Sequence, residues 1–349
     1  MRFASDNSGP VHPRVMEALH AANEGWALPY GNDDWTRRAV ENVRAVFEAP
    51  NAAVYLTATG SAANALSLAT ITKPYQTIFC TPEAHIEEDE CNAPEFYTGG
   101  AKLTLVNSRD ARMIPEALAG VLVGKSGQNV HGAQMGPLSL TQVTERGTVY
   151  SLEHLAELTA IAKRHDLPVH LDGARFANAL VALGCTAADM SWRAGVDIVS
   201  FGGTKNGLMG AEAVVIFDPA LAWEFELRRK RGGHLFSKSR YLSAQMEAYL
   251  TDDLWLDMAR MANAAADKLA TGLQGIDSAS LIHPQDANMI YASLPSATHR
   301  RLRDAGAQYY PAPGAMDGPD DAQASCRIVA DWSCPDAHIE SFLALVAGD

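Results

Sequence analysis

Strand-like and helix-like hydrophobic patterns alternate along most of this chain, and that alternation restricts its fold more than any other feature. Ala53–Thr57 reads as a strand that runs through Gly60-Ser61-Ala62-Ala63-Asn64 into an apolar helix ending at Ile71. Short strands follow at 77–80 and 101–106, with a helix at 114–123. Residues 138–143 are of continuous apolar type, as in a sheet covered on both faces. Residues 152–165 form an amphipathic helical pattern with Ser151 as N-cap. Strands at 168–172, 197–201 and 212–217 complete the series. Two helical patterns, 13–23 and 35–47, precede it. This β/α repetition predicts an α/β domain with a mostly parallel sheet flanked by helices.

Beyond about residue 243 the pattern changes. A long helix is predicted over 254–273, short strands near 287–292 and 325–330, a Pro/Gly/Asp-rich loop over 311–323, and a last helix over 336–346. With 349 residues, about twice the usual domain length, the chain divides on this reading into a large cofactor-binding domain, 1–243, and a smaller α+β domain, 244–349.

Composition limits the partners. The formal net charge of −13 is spread along the chain, which argues against nucleic acid and anionic membranes. No apolar run has membrane-spanning length, and the start, MRFASDNSGPVHP, has no apolar core of a signal peptide. Cys80, Cys91, Cys185, Cys326 and Cys334 are scattered, without CxxC or Cys/His metal spacing. They read as reduced thiols of a cytoplasmic protein, and no metal site is expected.

The chemistry lies in Val169-His170-Leu171-Asp172-Gly173-Ala174-Arg175 and Ser200-Phe201-Gly202-Gly203-Thr204-Lys205-Asn206-Gly207. Ligands of α/β sheets bind at the carboxyl ends of strands, where Asp172 and Lys205 are placed. An acid and an amine on one rim suit pyridoxal phosphate: the amine forms a Schiff base, and the carboxylate keeps the pyridine nitrogen protonated. For an isolated Asp and Lys, an ordinary ion pair is the commoner arrangement. A third anchor favours the cofactor. Thr59-Gly60-Ser61 opens an apolar helix, and small residues there expose backbone N–H groups and the helix dipole to a phosphate.

His85, just past a strand, suits stacking on the cofactor ring or acid–base work, the bland alternative being a loop or core histidine. His170 reads as a core residue and His131 is left open. Arg175 and Arg327 suit bidentate binding of a substrate carboxylate, although for either alone a surface salt bridge is the commoner role.

These residues resemble the threonine aldolase family of fold-type I pyridoxal-phosphate enzymes, and within it the bacterial low-specificity L-threonine and phenylserine aldolases. The resemblance spans nearly the whole chain: Ala4-Ser5-Asp6-Asn7, Tyr30-Gly31-Asn32-Asp33, Thr59 to Asn64, Ala84-His85, His170 to Arg175, and Phe201 to Gly207. It implies an aldehyde-lyase that cleaves threonine, allo-threonine or phenylserine to glycine and an aldehyde. It further implies a Schiff base on Lys205, a pyridinium partner in Asp172, phosphate ligands in Thr59, Gly60 and Ser61, and a stacking His85. Ser5, Arg175 and Arg327 would take the substrate carboxylate. Sites shared between subunits of a homodimer or homotetramer are implied as well.

The chain departs from the family at two places. The usual Asn-Thr-His-Asn-Gly-like histidine is absent from Thr141-Gln142-Val143-Thr144-Glu145-Arg146-Gly147, which leaves Glu145 or His131 as its substitute, or the substrate hydroxyl handled in another way. Where many members have an arginine that a partner subunit supplies to the phosphate, Gly232-Gly233-His234-Leu235-Phe236-Ser237 leads to Lys238. An aminotransferase or a β-eliminating lyase would share the lysine and aspartate. A non-catalytic binding protein on the same fold would stay colourless with the cofactor.

Overall fold

A computed structural model describes residues 1–125 and 129–348. The strands are β1 (Ala53–Thr57), β2 (Gln76–Cys80), β3 (Lys102–Leu105), β4 (Ser108–Arg109), β5 (Arg112–Met113), β6 (Gln134–Thr141), β7 (Val169–Gly173), β8 (Ile198–Gly202), β9 (Glu212–Ile216), β10 (Ser280–Leu281), β11 (Met289–Pro295), β12 (Tyr310–Pro311) and β13 (Gln323–Val329). Seven of them form one sheet in the order β1-β9-β8-β7-β6-β2-β3. Strand β9 runs antiparallel to both neighbours, and every other pairing in this sheet is parallel.

Every residue of β7, β8 and β9 is buried, because helices cover both faces of the sheet. Alternate residues feed different cores. Ile198, Val214 and Ile216 pack with Ala63 and Leu66 of the apolar helix, while Val199, Phe201, Ala213 and Val215 join the larger core with Phe47, Phe176 and Trp255. The first three α-helices are α1 (Pro13–Ala22), α2 (Asp34–Val46) and α3 (Gly60–Ile71).

Strand β6 begins earlier than the sequence reading placed it and stops at Thr141. Gly136 and Pro137 look like a break but lie inside the strand. A Cβ on Gly136 would stand 2.6 Å from the Thr77 carbonyl oxygen, so only glycine allows this close approach to β2.

A second, antiparallel sheet, β10-β11-β13-β12, packs on a separate core of Ile290, Leu294, Ile328 and Phe342. The first residues of the chain belong to this core too: Phe3 is fully buried there, and its carbonyl accepts the Val329 N–H at 2.9 Å. The 21-residue helix Leu254–Gln274 joins the two cores, giving Trp255 and Met258 to the first and Leu269 and Leu273 to the second. No helix among the described residues is long and apolar enough to cross a membrane.

Candidate active site

A cavity of about 300 Å³ opens at the carboxyl ends of β7 and β8 and the start of α3. Thr59, Gly60, Ser61, Asn64, His85, Glu145, Asp172, Arg175, Lys205 and Glu212 all line it. Its size is at the lower end of the roughly 300–1,000 Å³ usual for small-molecule sites.

Lys205 sits in a short 3-10 turn, Thr204–Asn206, directly after β8 and Gly203. Glycine is required before the turn, because a Cβ on Gly202 would collide with the Ala174 carbonyl oxygen. It is required after it as well, where Gly207 adopts a φ of 94°. Glu212 of β9 braces the turn: its carboxyl accepts the Gly203 N–H at 2.7 Å and the Thr204 hydroxyl at 2.5 Å. The Lys205 ammonium makes no hydrogen bond or ion pair among the described residues. The positive Arg175 nearby, followed by burial, lowers its pKa and so favours the nucleophilic amine.

Asp172 is held elsewhere. Its Oδ1 accepts the Ala174 N–H at 2.9 Å and its Oδ2 accepts the Asn64 side-chain amide at 2.8 Å. The ordinary Asp–Lys ion pair is therefore not formed. Asn64 also donates to Glu90 Oε1 at 2.8 Å, and the same oxygen lies 2.8 Å from His85 Nδ1. A continuous polar chain thus runs His85–Glu90–Asn64–Asp172. The hydrogen bond to Glu90 raises the pKa of His85, against the opposing effect of burial.

Helix α3 starts as the sequence implied. Thr59 is its N-cap, its Oγ1 accepting the Ala62 N–H at 3.2 Å. The Gly60 and Ser61 N–H groups have no acceptor among the described residues, and a Cβ at Gly60 would meet nothing within 4 Å. This N-terminus is therefore free for an anion. The unpartnered amine of Lys205, the fixed carboxylate of Asp172 and the open helix start together fit pyridoxal phosphate.

The remaining candidates divide. Arg175 borders the cavity, but its Nε and Nη2 bind the buried Asp6 carboxylate at 2.6 and 3.0 Å, which leaves Nη1 without a protein partner. Burial would raise the pKa of Asp6, but the charges of Arg175 and Lys205 prevail and hold it low. Arg327 lies outside the cavity lining. Its guanidinium stacks 4.6 Å over Tyr310 and donates to the Ala4 carbonyl at 3.3 Å, while its Nε is buried without a partner. The Ser5 hydroxyl accepts the Asn7 N–H at 3.1 Å and does not face the cavity.

His131 and Lys238 are exposed and outside the cavity lining. His170 is a core residue, as expected. It is fully buried between Ser139 and Ser200, and burial lowers its pKa to about 4.

The sequence reading missed Asp6, Glu90 and Glu212 as site groups, and it gave Asn64 no role. Asn64 alone carried a local signal, being a polar residue in the otherwise apolar run of α3.

A family model described as beta-eliminating lyase matches residues 2–295. A low specificity L-threonine aldolase of a Pseudomonas species (strain NCIMB 10558) is 35% identical over 343 residues, covering 98% of this chain and 96% of the relative. A second, from Pseudomonas aeruginosa, is 39% identical over 88% of each chain. Among solved structures, a threonine aldolase of Leishmania major superposes with a TM-score of 0.91 at 24% identity, covering 99% of this chain and 98% of its own. A Sphingomonas wittichii serine palmitoyltransferase has a TM-score of 0.71 at 17% identity, over 100% of this chain and 86% of its own.

Proposed function

This chain belongs to the beta-eliminating lyase family, and we propose that it is a pyridoxal-phosphate-dependent aldolase that cleaves β-hydroxy-α-amino acids to glycine and an aldehyde. L-threonine, L-allo-threonine and phenylserine are the substrates proposed. The observation that carries the reading is a half-buried lysine amine with no hydrogen bond or ion pair among the described residues, in one cavity with a fixed aspartate and an open helix start. A structural lysine would be paired, since burying an unpaired charge is costly.

Lys205 would hold the cofactor through its amine and Asp172 would hold the proton on the ring nitrogen. The Gly60 and Ser61 N–H groups, with the Thr59 hydroxyl, would hold the phosphate, and the His85 ring would lie against the ring face. When bound, pyridoxal phosphate supplies an electron sink for the pair released as the Cα–Cβ bond breaks. Asn64 and Glu90 fix the two side chains that meet the cofactor ring, so its orientation is set before substrate arrives.

Arg175 Nη1 is the nearest guanidinium nitrogen available to a substrate carboxylate, and Asp6 keeps that side chain in place. Holding the carboxylate chooses which substrate bond stands perpendicular to the ring, and this selects cleavage over other chemistries. Arg327 and Ser5 are further proposed carboxylate ligands, both outside the cavity lining in this structure. Lys238, exposed here, is suited to a second copy's phosphate in a homodimer or homotetramer. Five free cysteines suit a reducing cytoplasm.

The test is a substrate panel of L- and D-threonine, the allo isomers and phenylserine, read as glycine and aldehyde. Equal amounts of both from a β-hydroxy-α-amino acid are expected. Keto acid and ammonia in their place would overturn the proposal.

A further inference from the structure

We propose that Glu145 is the acid–base group for the substrate β-hydroxyl, taking its proton through Oε2 as the Cα–Cβ bond breaks. This inference rests on the aldolase reading and names a residue that the reading leaves unassigned.

The cavity lining contains three carboxyl groups. Both oxygens of Asp172 and both of Glu212 accept protein hydrogen bonds. Glu145 differs. Its Oε1 accepts the His85 backbone N–H at 2.7 Å, and its Oε2 is shielded from solvent with no hydrogen-bond partner within normal geometry among the described residues. A buried carboxylate oxygen without a donor is rare in a finished structure and calls for an explanation. A substrate hydroxyl is the donor that this cavity lacks.

The residue is held firmly. Its carbonyl accepts the Tyr291 hydroxyl at 3.0 Å, and Thr144 and Thr148 close the turn around it through their hydroxyls at 2.8 Å. Gly147 completes the turn with a φ of 81°, where a Cβ would strike the Met289 carbonyl. Arg146, the adjacent cation, points away, with its Nη1 on Tyr291 and its Nη2 3.8 Å from Glu88. Glu145 is thus not neutralised by its neighbour.

Burial, then the negative charge of Asp172, lift Glu145 to a pKa of about 7, against the His85 N–H and Thr141, which lower it. Arg175, Cys80 and Tyr150 are the other titratable groups that sense its charge. A pKa near the working pH is what a group that both accepts and returns a proton requires. His85 is less suited, since its bond to Glu90 favours the cationic ring.

The proton balance closes. As the carboxylate, Oε2 accepts the hydroxyl proton. The O–H electron pair becomes the second carbonyl bond of the leaving aldehyde, and the Cα–Cβ pair stays with the glycine fragment. That fragment needs one proton at Cα, so the proton taken from the hydroxyl makes up the one required and none is consumed overall.

The experiment is Glu145→Gln, which keeps an oxygen for the His85 N–H but cannot accept a proton. The expected result is a kcat lower by about a hundredfold or more, a KM for phenylserine changed little, and loss of the acidic limb of the pH–rate profile near neutrality. Cofactor absorbance should be retained. An infrared titration of the cofactor-free protein should show protonated-carboxyl absorbance that disappears near pH 7 in wild type, and Glu145→Gln should lose the share that Glu145 contributes while the Glu212 share remains.

A Glu145→Gln enzyme with wild-type kcat and an unchanged acidic limb overturns the proposal. So does a wild-type band that titrates fully in the ordinary carboxylate range, a readout that stands even if the variant folds poorly. Failure of wild type to release aldehyde from any member of the panel refutes instead the aldolase reading itself.

Discussion

The rim of the seven-stranded sheet and the interior of the four-stranded sheet handle buried polar groups in opposite ways. In the small sheet, fully buried His299 has a partner for each ring nitrogen: the Tyr309 hydroxyl at 2.7 Å and the Ala324 carbonyl at 3.1 Å. At the large sheet's rim, Glu145 Oε2, Glu90 Oε2 and Asn64 Oδ1 have none among the described residues. Folded proteins satisfy nearly all buried polar groups, so a concentration of unsatisfied ones marks where a ligand completes the structure. The small sheet has an exception of its own in Arg327 Nε of β13, and Asn288 Oδ1, just before β11, is another, on the residue that reaches Asp6 beside the cavity.

Removing the amine tests the comparison most severely. Lys205→Ala should abolish turnover and the visible absorbance of lysine-bound cofactor, while stability without cofactor stays the same or rises, because the repulsion between its ammonium and Arg175 is gone. Absorbance that persists unchanged would exclude Lys205 as the attachment point. Next in size, Asp172→Ala should lower kcat by roughly 10²–10³-fold while some cofactor still binds, since a preorganised charge at the reacting ring contributes about that much. A normal rate in this variant would remove the electron-sink argument.

Much of this was legible in the sequence, for a physical reason. Strands covered on both faces must be apolar until they reach the rim, so Asp172 and Lys205 stand out as polar residues where such runs stop. Groups joined across distance gave no such sign. Glu90 meets Asn64 across 26 positions and Asp6 meets Arg175 across 169, and neither separation leaves a periodic trace. Surface helices were equally silent. Ala222–Arg231 buries only Phe225 and ends in a run of basic residues, so no apolar stripe announced it. The exposed position of His131 was hidden for the same reason: a loop histidine has no pattern to read.

The two regions should also respond to pH with opposite sign. Burial, outweighing the hydrogen bonds from Thr204 and Gly203, raises Glu212 to a pKa of about 7 from an ordinary 4.5. Between those values the folded protein holds a proton that the unfolded chain has released, so stability falls as pH rises from 4.5 to 7. The contribution amounts to at most about 3 kcal/mol, at roughly 1.4 kcal/mol per unit of pKa difference. Glu212→Gln should flatten this decline in the cofactor-free protein, as measured by urea unfolding across that range. A slope that does not change would show that Glu212 is ionised throughout.

His299 supplies the opposite case and the smallest effect on chemistry. Burial lowers its pKa from 6.5, so the folded protein keeps it neutral where the unfolded chain takes up a proton. Its contribution to stability is present above pH 6.5 and is lost progressively as pH falls below that value. His299→Leu should remove this acid sensitivity. It should also cost roughly 1–3 kcal/mol at neutral pH, because the buried Tyr309 hydroxyl loses its partner. The stacking of the two rings, 5.8 Å apart, is lost with it. The rate per folded molecule should not change, since none of these atoms borders the cavity. A fall in kcat without a fall in cofactor binding would show that the satisfied sheet and the unsatisfied rim are coupled, and the division drawn between them would then fail.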